Sequence, residues 1–75
     1  MREWLKKIRN EKGLSQSEIA IKLNIGQQYY SMIENGERQK DLNLSLVTKL
    51  SEILGVSVNK IIAEENNVQR KWLKN

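Results

Sequence analysis

Residues 16–35 read QSEIAIKLNIGQQYYSMIEN, and their apolar pattern is the most informative in the chain. Before residue 24, Ile19 and Leu23 lie four residues apart, and after residue 26, Tyr30 and Ile33 lie three residues apart. Both spacings place apolar side chains on one face of a helix. Asn24 tolerates the left-handed backbone that a tight turn between helices needs. The stretch therefore predicts two short amphipathic helices joined by a tight turn.

The bounds of these two helices are predicted by their capping residues. Ser15 and Glu18 have the spacing of a capping box, in which each side chain accepts a hydrogen bond from the backbone amide of the other. This places the first helix of the pair at residues 16–23. Gly26 takes the N-cap position of the second, which we expect at residues 27–34.

Three further helices are predicted outside this stretch. Their expected bounds, each with its terminating or capping residue, are 2–12 (Gly13), 44–54 (Asn43) and 58–64 (Ser57). Residues 66–75 are polar apart from Val68, Trp72 and Leu73, and they form either a frayed end or a short extra helix. We expect an all-α domain of five helices at residues 1–65, followed by this tail.

Composition narrows the function. The 75 residues include no cysteine, histidine or proline, and Lys and Arg exceed Asp and Glu by 13 to 9. A net charge of +4 suits a polyanionic partner, although it also serves solubility. Without histidine, cysteine or a glycine-rich phosphate loop, we expect no enzyme, metal site or cofactor. No apolar run approaches the ~18 residues of a membrane span, and no secretory h-region is present, so we expect a cytoplasmic protein without a membrane partner.

The 16–35 stretch resembles the helix-turn-helix of the phage Cro and repressor (xenobiotic-response-element, XRE) family. The resemblance rests on the apolar positions, on the small Ala20 and on the ending IENG at 33–36, and it extends from about Leu5 to Ile62. Asn24 departs from the family, in which glycine is usual there. The resemblance implies a lambda-repressor-like fold. It also implies that the protein is a transcriptional regulator, specifically a repressor, which binds double-stranded DNA with its third helix in the major groove.

The outward side of the third predicted helix carries no charge. At ~100° per residue, Tyr29, Tyr30 and Ile33 face one side, and Gln28, Ser31, Met32 and Asn35 face the other, with Gln27 at the edge. A glutamine amide can pair bidentately with adenine. The resemblance implies base reading by Gln28, with Gln27 at an adjacent base or phosphate. Ser31 could reach a base or a phosphate, and Met32 could touch a thymine methyl or pack at the rim.

Other residues are placed to contact phosphates. The expected set is Gln16, Tyr29, Asn35, Arg38 and Lys40. For Tyr29 a purely structural role is an equal alternative. The resemblance also implies a side-chain contact between Gln16 and Gln27. Glu37 departs from the family, in which a basic residue is common at that position.

Arg9 and Glu34 match positions that form a partly buried ion pair in related repressors. The resemblance therefore implies a structural tie between the first helix and the end of the third.

Two questions about partners stay open. The protein either forms a homodimer on paired half-sites or acts with another protein, and Ile62, Trp72 and Leu73 either form that surface or complete the monomer core. The alternative function is a protein-interaction module, antitoxin-like or an antirepressor partner, on the same fold.

Overall fold

The computed structural model describes residues 1–39 and 42–73, with side chains described as far as residue 68. The described residues form helices and no strands. The helices are α1 (Glu3–Glu11), α2 (Gln16–Leu23), α3 (Gln27–Asn35), α4 (Leu44–Leu54) and α5 (Val58–Leu73). The predicted all-α fold of five helices is therefore confirmed.

All five helices contribute apolar side chains to one core. Its buried members are Trp4, Leu5, Ile8, Ile19, Ala20, Leu23, Tyr30, Ile33, Val47, Leu50, Leu54 and Ile61. Burial of each large apolar side chain of this kind stabilises the folded state by roughly 1.5–3 kcal/mol. The apolar spacing in the sequence thus identifies the faces that meet in the core.

The turn between α2 and α3 has the predicted capping. Ser15 Oγ accepts from the Glu18 amide and Glu18 Oε1 accepts from the Ser15 amide, each at 3.0 Å, so the predicted capping box is confirmed. Asn24 ends α2 in the left-handed conformation, with φ 59°. Gly26 is the N-cap of α3 and has extended backbone. These local features fix the angle at which α3 leaves α2.

The caps of α4 and α5 also follow the prediction. Asn43 Oδ1 accepts from the Leu46 amide at 2.8 Å, and Ser57 Oγ accepts from the Lys60 amide at 3.1 Å.

The two isoleucines of α5 differ in burial. Ile61 is fully buried. Ile62, one residue further, is 45% exposed and is not part of the monomer core.

The predicted end of helix 5 is wrong. The helix was expected to end near residue 64, but α5 continues to Leu73. Residues 58–73 contain no glycine or proline, and the pair Asn66 and Asn67 costs at most about 0.7 kcal/mol per residue in helix propensity. Burial of Glu65 supplies a tertiary anchor at that point. Residues 66–73 are thus the second half of α5, and the side chains of Trp72 and Leu73 lie outside those described.

Candidate nucleic-acid interface

The outer face of α3, defined here as Gln27, Gln28, Ser31, Met32 and Asn35, points away from the core. Gln27, Gln28 and Asn35 are exposed, while Ser31 and Met32 are half-buried. The opposite side of the helix is sealed, because Tyr30 and Ile33 are buried. One uncharged polar surface therefore contains all the residues predicted to contact bases.

The two glutamines begin α3 with their amides unengaged. Across residues 1–39 and 42–73, neither Gln27 nor Gln28 forms a side-chain hydrogen bond, whereas Gln16 and Gln39 each form at least one. Each glutamine amide offers two donor hydrogens and one acceptor oxygen. The first turn of α3 therefore presents a full set of donors and acceptors on a rigid helix.

Gln16 does not make the contact with Gln27 that the resemblance implied. Its Nε2 donates to Glu34 Oε1 at 3.2 Å, and the side chain is partly buried. A buried carboxylate is a stronger acceptor than an exposed amide, so the Gln16 amide turns toward it. Gln16 still opens α2, where the first backbone N–H groups of a helix lack partners within it.

Glu34 is the centre of a buried polar cluster behind the outer face. Its carboxylate accepts from Arg9 Nε at 2.6 Å and from Tyr30 Oη at 2.6 Å, in addition to Gln16. Arg9 also donates to the Leu14 carbonyl at 2.8 Å. The structure thus places the predicted partners Arg9 and Glu34 in direct contact.

The electrostatics of this cluster follow from its hydrogen bonds. Burial alone would raise the pKa of Glu34, but the hydrogen bonds from Arg9, Tyr30 and Gln16 outweigh burial and lower that pKa. Burial, with the hydrogen bond to Glu34, raises the pKa of Tyr30. Glu34 is therefore a carboxylate and Tyr30 a neutral phenol at neutral pH.

Tyr29 is partly exposed and forms one side-chain hydrogen bond among the described residues. Its side chain is 37% exposed, and its hydroxyl oxygen accepts from Gln39 Nε2 at 3.0 Å. Gln39 Oε1 in turn accepts from Asn43 Nδ2 at 3.2 Å. The hydroxyl thus joins α3 to the start of α4 and retains its own hydrogen for donation.

The remaining predicted phosphate contacts are the last residue of α3 and residues that follow it in the sequence. Asn35 and Arg38 are exposed, as is Glu37, while Lys40 lies outside the described residues. Gly36 ends α3 with φ 82°, and the amides of Glu37 and Arg38 both donate to the Met32 carbonyl. The backbone that follows α3 is therefore folded back on the last turn of that helix.

The buried pair of Arg2 and Glu65 was not predicted from the sequence. Arg2 is fully buried, and its side chain pairs with Glu65 and donates to carbonyl groups at the end of α3. A usable signal was present, since Arg2 lies three residues before Leu5, in the register of the apolar face. A charged residue in an apolar register indicates a buried partner.

Within the described residues, no group of His, Cys, Asp and Glu side chains is clustered as metal ligands would be. No helix in that part of the chain is both long and apolar enough to span a membrane.

Several known proteins are similar to this chain in sequence. Residues 5–61 match a family model described as Helix-turn-helix. The uncharacterized HTH-type transcriptional regulator YqaF of Bacillus subtilis is 51% identical over 55 residues, covering 73% of this chain and 70% of YqaF. The control protein C.MunI of Mycoplasma sp is 41% identical over 63 residues, covering 80% of each chain. The HTH-type transcriptional regulator SinR of Bacillus subtilis is 34% identical over 65 residues, covering 87% of this chain and 58% of SinR. No solved structure matches this chain at a significant level.

Proposed function

Because the chain belongs to the helix-turn-helix family of DNA-binding transcriptional regulators, we propose that it is a sequence-specific repressor that inserts α3 into the major groove. The family consists of regulators, and the chain is not an enzyme. The major groove of B-DNA is about 12 Å wide and admits an α-helix. The repressor role rests on the resemblance of residues 16–35 to phage repressors.

The observation that carries the proposal is the outer face of α3. Gln27 and Gln28 are exposed in the first turn of α3, which is the second helix of the helix-turn-helix. In this motif, the N-terminal end of that helix contacts base edges. Gln28 then reads a base, with adenine as the geometrically favoured partner of an amide. Gln27 contacts a neighbouring base or phosphate. Ser31 and Met32 extend the reading surface along the helix.

Phosphate contacts supply position and affinity around this surface. The proposed set is Gln16, Tyr29, Asn35, Arg38 and Lys40. Such contacts fix the register of the protein without reading sequence, and cationic ones make binding fall steeply with salt. The net charge of +4 supports a polyanionic ligand.

We further propose that the protein binds as a homodimer through α5. Proteins of this motif class bind two half-sites about 34 Å apart as dimers. Ile62 is 45% exposed on α5, next to the buried Ile61. An exposed apolar side chain that meets its own copy across a two-fold axis would be buried when the dimer forms.

Selection of binding sites from random duplex DNA tests the proposal. We expect enrichment of a two-fold symmetric sequence whose half-sites are one helical turn apart, and sedimentation should show two protein chains per duplex. Affinity should fall steeply as salt rises. Absence of any enriched sequence would contradict the DNA-binding proposal. Salt-insensitive binding to a protein instead would favour the protein-interaction module.

A further inference from the structure

Arg2 joins two parts of the molecule that are far apart in sequence. Its guanidinium donates from Nη1 to the Ile33 carbonyl at 2.5 Å and to the Arg38 carbonyl at 3.3 Å, and from Nη2 to the Gln39 carbonyl. The other edge of the guanidinium meets Glu65 on α5, with Nη2 2.8 Å from Oε2 and Nε 2.9 Å from Oε1. The side chain is fully buried.

The carbonyl groups at the end of α3 require hydrogen-bond donors from outside the helix. The last four carbonyl groups of a helix have no amide partner within it, and the negative end of the helix dipole lies there. No basic residue lies in the last turn of α3. The Glu34 carbonyl accepts from the Arg2 amide at 2.7 Å, and the Ile33 carbonyl accepts from the Arg2 side chain. The amides of Gly36, Glu37 and Arg38 cap the Ile33 and Met32 carbonyls, and Arg2 adds the bond to the Glu34 carbonyl, a second bond to the Ile33 carbonyl and the positive charge.

The position of Arg2 is in turn set by α5. Both carboxylate oxygens of Glu65 accept from Arg2, and Oε1 also accepts from Trp4 Nε1 at 3.3 Å. Two parallel hydrogen bonds between a carboxylate and a guanidinium fix the plane of the guanidinium, whose N–H groups form a fork. Lysine could supply the charge but not the fork.

We propose that Arg2 is a positioning residue for DNA binding, which caps α3 from outside its own sequence and holds residues 36–39 in place. Glu65 holds Arg2, so the backbone that bears Arg38 depends on α5. This inference rests on the proposed function, because it assigns the use of residues 36–39 to DNA contact. Arg2 itself is buried and touches no DNA.

The test uses Arg2→Lys and Glu65→Gln in the full chain. Arg2→Lys keeps the net charge and removes the fork. Glu65→Gln replaces one acceptor oxygen with a donor that faces the guanidinium. Glu64→Gln is the matched control, since it changes the net charge equally and, among the described side chains, breaks only the exposed contact of 3.4 Å with Lys60.

The first readout is amide hydrogen exchange without DNA. The amides of Gly36, Glu37 and Arg38 donate to carbonyls of the last turn of α3. We expect their exchange to rise at least about tenfold in both variants, as loss of charged hydrogen bonds implies. The amides of Asn24 and Ile25, which donate to the carbonyls of Ile21 and Ala20 in α2, are the internal reference and should stay unchanged.

The second readout is affinity for the selected duplex at several salt concentrations. Both variants should bind about three- to tenfold more weakly with an unchanged salt slope, because no phosphate contact is removed. Glu64→Gln should show neither effect. If Glu65→Gln behaves like Glu64→Gln, or if the reference amides accelerate equally, the positioning role is overturned. Faster exchange with unaltered affinity would also overturn it. If the wild-type chain bound no DNA while exchange responded as expected, the proposed function would fail and the cap itself would stand.

Discussion

The Nε atom of Arg9 lies 2.6 Å from Oε2 of Glu34, and both side chains are buried. The backbone carbonyl of the same glutamate accepts from the amide of Arg2 at 2.7 Å. The last turn of α3 is thus held by the N-terminal segment on two sides. The first turn of α3, where Gln27 and Gln28 are exposed, remains open to solvent.

Replacement of Arg9 by methionine tests the weight of this ion pair. Arg9→Met leaves the Glu34 carboxylate buried without its cation, which should lower the free energy of unfolding by ~3–5 kcal/mol. Urea denaturation at constant m value measures the change. The control is Lys60→Met, which removes an exposed pair and should cost less than about 1 kcal/mol. Similar losses in the two variants would show that Arg9 and Glu34 do not act as a buried pair.

Stability should fall in acid because of Glu34. The pKa of Glu34 is lowered in the folded state from its ordinary value of 4.5. A lowered folded pKa means that the unfolded chain takes up the proton first, so stability is present above about pH 4.5 and is lost as pH falls through the folded pKa. Measured between pH 7 and pH 3, the slope of unfolding free energy should be shallower in Glu34→Gln. Glu18→Gln is the comparison, since that carboxylate also has a lowered pKa but is fully exposed. An equal or larger flattening in Glu18→Gln would refute the assignment.

Local chemistry explains which parts of the fold were predictable. Caps such as Ser15 and Asn43 act on amides three residues away, so the sequence contains both partners within a few letters. The apolar register of α2 and α3 likewise repeats within one helical turn. These local features are sufficient to predict the outer face of α3, including Gln28, from the sequence.

Long-range polar contacts were not predictable in the same way. Arg2 and Glu65 are separated by 63 positions, and no local pattern pairs them. Gln16 could have met Gln27 or Glu34, and the choice depends on which acceptor is buried and charged. The continuation of α5 past residue 64 is accompanied by burial of Glu65, a tertiary contact that no local pattern in the sequence contains.

Base reading by Gln28 gives the next prediction. Gln28→Ala should lose roughly 1–3 kcal/mol of binding at one base position and relax the preference there. Selection from random duplexes, repeated with the variant, measures that preference. Asn67→Ala is the control, because it removes an exposed amide from α5 rather than from α3. An unchanged sequence preference in Gln28→Ala would remove this residue from base reading.

Phosphate contacts should behave differently from base contacts. Arg38→Ala and Lys40→Ala should each weaken binding to all sequences alike and reduce the salt slope by about 1. Titration of one specific and one unrelated duplex at several salt concentrations measures both effects. The control is Lys7→Ala, which removes an exposed cation from α1. A loss confined to the specific duplex would instead indicate base contact by the tested side chain.

The N-cap of α3 offers a stabilising change. Gly26 has extended backbone at the N-cap, and a Cβ built there meets nothing within 4 Å. Gly26→Ser should therefore raise the free energy of unfolding by about 0.3–1 kcal/mol, because serine accepts from a first-turn amide and restricts the unfolded chain. Gly55→Ser is the opposite control, since φ is +67° there and a side chain in the left-handed region costs about 1–2 kcal/mol. Thermal or urea denaturation measures both variants, and a loss of stability in Gly26→Ser would show that the start of α3 cannot accept a side-chain cap.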